Sequence, residues 1–399
     1  MWPERLFRLL AAAWLPWCAA TAMAQAEAPP FRDLREETRQ ISVSVKDLYS
    51  RQETRQIPVT IFRPKGDGPF PLVIMNHGRS ATDKRASQGV QRFEHLSRYL
   101  VGKGFAVMLP TRVGYAQTYG DFDPEASGEC RSPRVEPMAI AASDQVLATL
   151  EFAKTLPFID ATRWLVMGQS VGGLAAAATV GRQPAGLLGA VNFSGGVGGD
   201  PEKNPGHPCS PQQVASVFGS FAKGAKVSML WLYWQNDLYW GANTPRRWHE
   251  AWASGGGLAE FQSLAPAGQD GHSGVSIDMD HWVPLVDDYL ARLGFGKPGS
   301  IKRPAPSGFA KVDDADKLPS NQATKEGVYR KFMESKTPRA FAIGPNNASG
   351  WASGDWALGR ALGFCARRGE PCKLYAIDDD VVWAPGNEPL KETRCSPRS

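Results

Sequence analysis

The 399 residues contain no apolar run of the roughly 20 residues that a membrane-spanning helix needs, so no membrane span is expected. Charge of one sign is also scarce. Lys and Arg total 45 against 40 Asp and Glu, a formal excess of +5 spread along the chain without a basic block. That gives little support to nucleic acid as a partner. No G-x-x-x-x-G-K-S/T occurs, which excludes a phosphate-cradling loop of that kind. There is no C-x2-C pair, and no histidine follows Cys209 at finger spacing, which makes zinc a poor alternative for the cysteines. No metal and no cofactor are expected.

What is present reads as a globular protein. Hydrophobic residues make up 42% and charged residues 21%, a balance that rules out wholesale disorder and a collagen-like fibre. The 41 glycines and 31 prolines imply many turns and long surface loops. The length exceeds one ordinary domain.

Residues 1–24 read as a secretory signal peptide. Arg5 and Arg8 form a basic start, Leu9 to Ala20 a short apolar core, and Ala22-Met23-Ala24 the small-x-small cleavage pattern, with Gln25 as the expected mature start. Bulky Trp17 before Cys18 does not fit a lipoprotein anchor. Export, periplasmic or secreted, favours cysteine pairing. Of the five cysteines outside the leader, Cys365 and Cys372 have a spacing that suits a local disulfide. Cys130 and Cys209, in loops of the larger domain, could pair, which leaves Cys395 over. Spacing alone does not fix this connectivity.

From about 38 to 298, strand and helix patterns alternate. Leu72, Val73, Ile74 and Met75 form an unbroken apolar run inside the expected strand Phe70–Asn76, as a buried parallel strand requires. Amphipathic or small-residue helices are expected at 88–103, 138–156, 171–180, 212–222, 245–253 and 282–293. This implies an α/β fold with a mostly parallel sheet covered by helices on both faces. Residues 299–323, Pro-rich and aperiodic, read as a linker. Residues 324–395 read as a small disulfide-containing α+β module.

The strongest chemical signal is Gly168-Gln169-Ser170-Val171-Gly172, which follows the apolar strand Trp164–Met167 and opens a Gly/Ala-rich helix. A nucleophile-elbow serine needs that context: the turn is so tight that its neighbours two residues away must be small. The helix N-terminus then aims amides at a developing oxyanion. A G-x-S-x-G can also be a glycine-rich turn with a bystander serine, but the flanking strand and helix favour the nucleophile. Asn76-His77-Gly78-Arg79 follows an earlier buried strand, where the second oxyanion donor is expected. The amides of Arg79 and Val171 would form the hole. His77 reads either as a loop-fixing histidine or as a substrate contact. Asp237, just past the strand 227–234, is placed to orient an imidazole rather than to be a solvated turn residue. Two histidines follow it. His272, in a glycine-rich loop, can reach over the serine; His281, at the start of the last helix, reads as a packing residue beside Trp282.

These residues resemble the α/β-hydrolase superfamily, and within it the dienelactone-hydrolase-like branch of exported bacterial proteins. The resemblance covers about 40–296 and rests on Asn76-His77-Gly78, Arg112-Val113-Gly114-Tyr115, Gly168-Gln169-Ser170-Val171-Gly172, the strand ending at Asp237, and Asp270-Gly271-His272. It implies Ser170 as nucleophile, Asp237 as acid, His272 as base, and a small-molecule ester as substrate. Dienelactone hydrolase itself uses a cysteine nucleophile, so the serine favours a general ester. Residues 324–395 look like a small accessory domain of exported proteins. Tyr239 and Trp240, after Asp237, and Tyr115, in the loop after Arg112, are candidate substrate contacts. An S9-like peptidase is the nearest alternative, against which stands the lack of a propeller-sized N-terminal segment. A non-catalytic binding protein on a hydrolase scaffold is another; an intact Ser170, Asp237 and His272 argues against it. Oligomeric state is left open.

Overall fold

The computed structural model describes residues 31–80, 82–295, 304–354, 357–369 and 371–386. The leader 1–24 with Cys18, the start of the linker at 299–303, and Cys395 lie outside the described residues.

Alternation and unbroken apolar runs sort the strands between sheet edge and sheet centre. The chain runs β1 (Glu37–Lys46), β2 (Gln52–Phe62), β3 (Phe70–Asn76), α1 (Thr82–Arg85), α2 (Glu94–Gly102), β4 (Ala106–Pro110), α3 (Val135–Ala153), β5 (Ile159–Gln169), α4 (Val171–Gly181), β6 (Leu187–Phe193), α5 (Pro211–Ala222), β7 (Met229–Trp234), α6 (Thr244–Ser254), β8 (Ala259–Leu264), α7 (Gly274–Ile277) and α8 (Met279–Arg292). The strands form one sheet in the order β1-β2-β4-β3-β5-β6-β7-β8. β1 alternates, with Ile41, Val43 and Val45 inward and their neighbours exposed, and it pairs antiparallel with β2 at the sheet edge. β2 is antiparallel to β4, and the remaining neighbours are parallel. The central strands β3, β4, β6 and β7 are buried on both faces, whereas the edge strand β8 is partly exposed. One face is closed by Met138 of α3, Leu174 of α4, Phe218 of α5 and Trp248 of α6; the other by Leu100 of α2 and Trp282 of α8. This is the α/β-hydrolase arrangement that the sequence implies. Among the described residues no helix is long and apolar enough to cross a membrane.

The order β4-β3-β5 marks where a ligand site is expected. The chain leaves β3 to one side and returns as β5 on the other, and open α/β sheets gather their ligands at such a switch point, beyond the carboxyl ends of the strands. The loops that begin at His77 and Ser170 leave those two strands at this point.

A second sheet is built from β9 (Arg339–Ile343), β10 (Ser349–Ser353), β11 (Lys373–Ile377) and β12 (Asp380–Val381), in the antiparallel order β10-β9-β11-β12. A π-helical turn at Thr324–Tyr329 leads into α9 (Arg330–Glu334), and α10 (Ala357–Ala366) covers one face. β10 escapes sequence reading because Ser349-Gly350-Trp351-Ala352-Ser353 carries no β-branched residue and no clean alternation. The described part of the expected linker is packed rather than extended. Ser307 N donates to Val381 O, Phe309 meets the Trp383 ring edge-on at 4.8 Å, and Leu318 is buried with Tyr329 and Phe332. The prolines hide this in sequence, since apolar residues at irregular spacing have no period to detect.

α4 lies so close to the sheet that side chains are excluded at the crossing. A Cβ on Gly172 would sit 2.3 Å from Asn76 O, and one on Gly168 2.0 Å from Gly172 O. Gly172→Ala is expected to destabilise the protein by about 1–3 kcal/mol, the usual range for overpacking. The readout is a lower urea midpoint at unchanged slope; a midpoint equal to wild type would contradict the crossing described.

Candidate active site

Ser170 occupies the turn between β5 and α4 with φ 57° and ψ −125°. A non-glycine residue held there costs about 1–3 kcal/mol. The surroundings hold it with hydrogen bonds: its N–H donates to Phe193 O (3.0 Å), and its carbonyl accepts from Gly173 N (2.8 Å) and Gly196 N (3.2 Å). The turn places Ser170 at the head of α4. The N–H of Val171, in the first turn of that helix, has no intrahelical acceptor and is available to an anion.

His272 sits in a short turn between β8 and α8. Its Nδ1 lies 3.0 Å from Asp237 Oδ2 and 3.2 Å from Oδ1. A carboxylate only accepts, so Nδ1 carries the proton and Nε2 is the basic nitrogen of the neutral ring. The Asp237 side chain is wholly buried and also accepts from the backbone N–H groups of Tyr239 (2.8 Å) and Trp240 (3.1 Å). Tyr239 stacks on the imidazole with ring centres 3.9 Å apart, and Trp240 meets it edge-on at 5.3 Å. Burial, then the nearby carboxylates of Asp270 and Asp237, raises the Tyr239 phenol above its ordinary range. Tyr239 is half-buried, with part of its surface open to a ligand, whereas Trp240 is buried and donates through Nε1 to Ser194 O (2.7 Å). Trp240 therefore braces the His272 ring from the interior rather than facing a ligand.

The loop carrying His272 is tied to the loop carrying Asp237. The Asn236 amide donates to the carbonyls of Ala267 and Gly268 and accepts from Ala267 N. Asp270 Oδ1 accepts from both Leu238 N and His272 N, each at 2.9 Å. His281 belongs elsewhere: its exposed ring lies 2.5 Å through Nδ1 from Asp278 Oδ1.

The loop after β3 rests on a buried ionic cluster. His77 is buried; Nδ1 donates to Gly78 O (2.7 Å) and Nε2 accepts from Arg112 N (3.1 Å). Burial, and next the Arg112 charge, hold its pKa well below the ordinary histidine value, so the ring is neutral. The Arg112 guanidinium is wholly buried, donates to His77 O (2.9 Å) and forks onto both oxygens of buried Glu125, which also accepts from Tyr115 OH (3.1 Å). His77 and Tyr115, candidate substrate contacts in the sequence, thus lie beneath the site with their polar atoms engaged. The Arg79 side chain turns away to Asp123, a carboxylate it shares with Arg85. A Cβ on Gly78 would come within 3.0 Å of Ser170 Cβ, which puts this loop against the elbow.

Cys130 is bonded to Cys209, linking the loop after β4 to the loop after β6, and Cys365 to Cys372, closing the end of α10 onto the approach to β11. Sequence reasoning missed Arg112 as an anchor, Glu125, Asn236 and Gln169, whose Nε2 donates to His272 O (3.1 Å). Arg112 and Gln169 stand inside quoted motifs, but a motif does not reveal a distant acceptor. Among the described residues no group of three or more His, Cys, Asp or Glu is placed to hold a metal ion. A cavity of about 710 Å³ lies between α2 and α10, lined by Tyr99, Val101, Leu362 and Ala366 among others; Ser170, Asp237 and His272 are not part of it.

Removing one partner of a buried pair leaves an uncompensated charge. Arg112→Met is therefore expected to cost about 3–5 kcal/mol in urea unfolding. A loss below about 1 kcal/mol would show that the pair does not anchor the loop.

No family model and no curated protein matches the chain. Among solved structures it is similar to a Klebsiella pneumoniae protein assigned as a dienelactone hydrolase (18% identity over 65% of this chain and 98% of that one, TM-score 0.44). It is also similar to the Pyrococcus furiosus esterase Pf2001 (14% identity, 67% and 96%, TM-score 0.44). A third is the acylaminoacyl peptidase of Pyrococcus horikoshii (15% identity, 67% of this chain and 43% of that one, TM-score 0.47), of whose length this chain spans less than half.

Proposed function

We propose that the chain is an exported serine hydrolase that cleaves small-molecule carboxylic esters through an acyl-enzyme. The observation that carries this reading is the pairing of His272 Nδ1 with the buried carboxylate of Asp237, on a loop hydrogen-bonded to the residue that precedes the strained Ser170. Ser170 Oγ attacks the ester carbonyl carbon while His272 Nε2 takes its proton. Asp237 holds the imidazole in the productive tautomer and stabilises the imidazolium. The amides of Arg79 and Val171 receive the oxyanion. Collapse breaks the bond to the alkoxy oxygen, which leaves as the alcohol with the proton from His272. Water, deprotonated by His272, then releases the acid and restores Ser170. The half-buried ring of Tyr239 is the substrate contact nearest the base. Catalysis is assigned to residues 38–298; two disulfides are compatible with an oxidising compartment.

A fluorophosphonate probe should label wild type at Ser170, and absence of labelling would sink the proposal. Ser170→Ala should lower kcat on p-nitrophenyl acyl esters by about 10⁶-fold with the fold retained; more than a tenth of wild-type activity is incompatible with a nucleophilic Ser170. Turnover of p-nitrophenyl esters above aminoacyl p-nitroanilides supports the ester class, and the reverse ranking makes the chain a peptidase.

His272→Ala should be as damaging as loss of the nucleophile to within about a hundredfold, while His281→Ala leaves kcat near wild type. The opposite ranking would move the base to His281.

A further inference from the structure

We infer that Gln169 is a positioning residue that sets the distance between nucleophile and base, an inference that rests on the proposed roles of Ser170 and His272. Gln169 is the last residue of β5, immediately before Ser170, and its side chain points out of the elbow toward the other two parts of the site. Nε2 donates to the backbone carbonyl of His272 at 3.1 Å. Oε1 lies on the side of Gly78, where a Cβ would approach it to 2.7 Å. One amide thus runs from the strand that carries the nucleophile, past the loop that carries the Arg79 amide, to the backbone of the base.

The need for such a tie follows from how the rest of the base loop is held. Its other polar restraints lead to the acid's side of the site: Asn236 holds Ala267 and Gly268, Asp270 bridges Leu238 to His272, and Asp237 receives Nδ1. These fix base against acid, but they do not fix base against nucleophile, because Ser170 follows β5 and β6 stands between β5 and β7. The hydrogen bond from the Gln169 amide to the His272 carbonyl bridges that gap directly. It acts on the backbone, so it shifts the whole imidazole relative to Ser170 without touching the Nδ1–Asp237 bond. Gln169 acts through the His272 backbone, and its effect is geometric. A displacement of about 1 Å at a catalytic group can cost about a hundredfold in rate.

The test uses Gln169→Met, which keeps length and removes the donor, and Gln169→Glu, which keeps the acceptor and removes the donor. Both should reduce the rate of fluorophosphonate labelling and kcat on a p-nitrophenyl ester by about tenfold to a hundredfold, with KM within twofold of wild type. The downfield proton resonance of the His272 Nδ1–H···Asp237 bond should persist in both variants and vanish in Asp237→Asn. A fall of less than threefold in both variants overturns the inference. So does loss of the downfield resonance in either variant, since Gln169 would then be holding up the loop rather than setting its place. If Gln169→Met does not fold, Gln169→Glu decides alone. Failure of wild type to label strikes instead at the serine-hydrolase reading, so the two failures are distinguishable.

Discussion

The site depends on one backbone conformation, the positive φ of Ser170 between β5 and α4. An L-residue there is strained, so its neighbours must hold it. They do so by close approach. Gly168 and Gly172 let α4 descend onto the ends of β5 and β3, where any Cβ would strike backbone within 2.3 Å, and the exit of β6 fixes the Ser170 peptide through Phe193 O and Gly196 N. The same approach explains why α4 is composed of Gly, Ala, Leu, Thr and Val and is buried along nearly its whole length. A strained turn, a small-residue helix and three parallel strands are therefore a single requirement.

The loop after β3 solves a different problem. Its backbone must stay open to solvent on one side, so it cannot join a sheet, and it gains its rigidity from below. Arg112 and Glu125 are both fully buried. Such a pair gains little net stability over an apolar replacement, because desolvation offsets the attraction. What it supplies is direction. The guanidinium fork matches the carboxylate on one side and reaches His77 O on the other, and the Arg112 amide fixes the His77 tautomer. A neutral histidine and a charged arginine coexist in one pocket because each has a defined partner.

The legible parts of the sequence were those whose physics is local. The central strand Phe70–Asn76 has the bounds its apolar run implies, and the elbow announces itself through glycines that the turn itself demands. Asp237 and His272 could be placed because each follows a strand of a sheet whose carboxyl edge collects such groups. The parts that were not legible depend on partners far along the chain. Gln169 and His272 are 103 residues apart, and nothing about a glutamine in the turn discloses its acceptor. Glu125 lies in an irregular loop that gives no sign of burial. His77 and Tyr115 were open to reading as ligand contacts because polar and aromatic residues beside a candidate catalytic motif look the same whether they face solvent or the interior.

Proposed nucleophile and base also communicate through the exit of β6. Gly196 N donates to Ser170 O, Ser194 O accepts from Trp240 Nε1, and Gly195 O accepts from Tyr233 OH. Trp240 in turn meets the edge of the His272 ring that Tyr239 covers on its face. Three consecutive carbonyl or amide groups thus couple the elbow to the aromatic pair that holds the imidazole. The restraint is complementary to the Gln169 amide: the aromatic pair confines the ring's tilt by packing, and the amide confines the height of its backbone by a directional bond. Packing of flat rings permits sliding in their plane, which a hydrogen bond of fixed length opposes. A strained serine and a loop-borne histidine, on strands that are not neighbours, are in this way held in one frame.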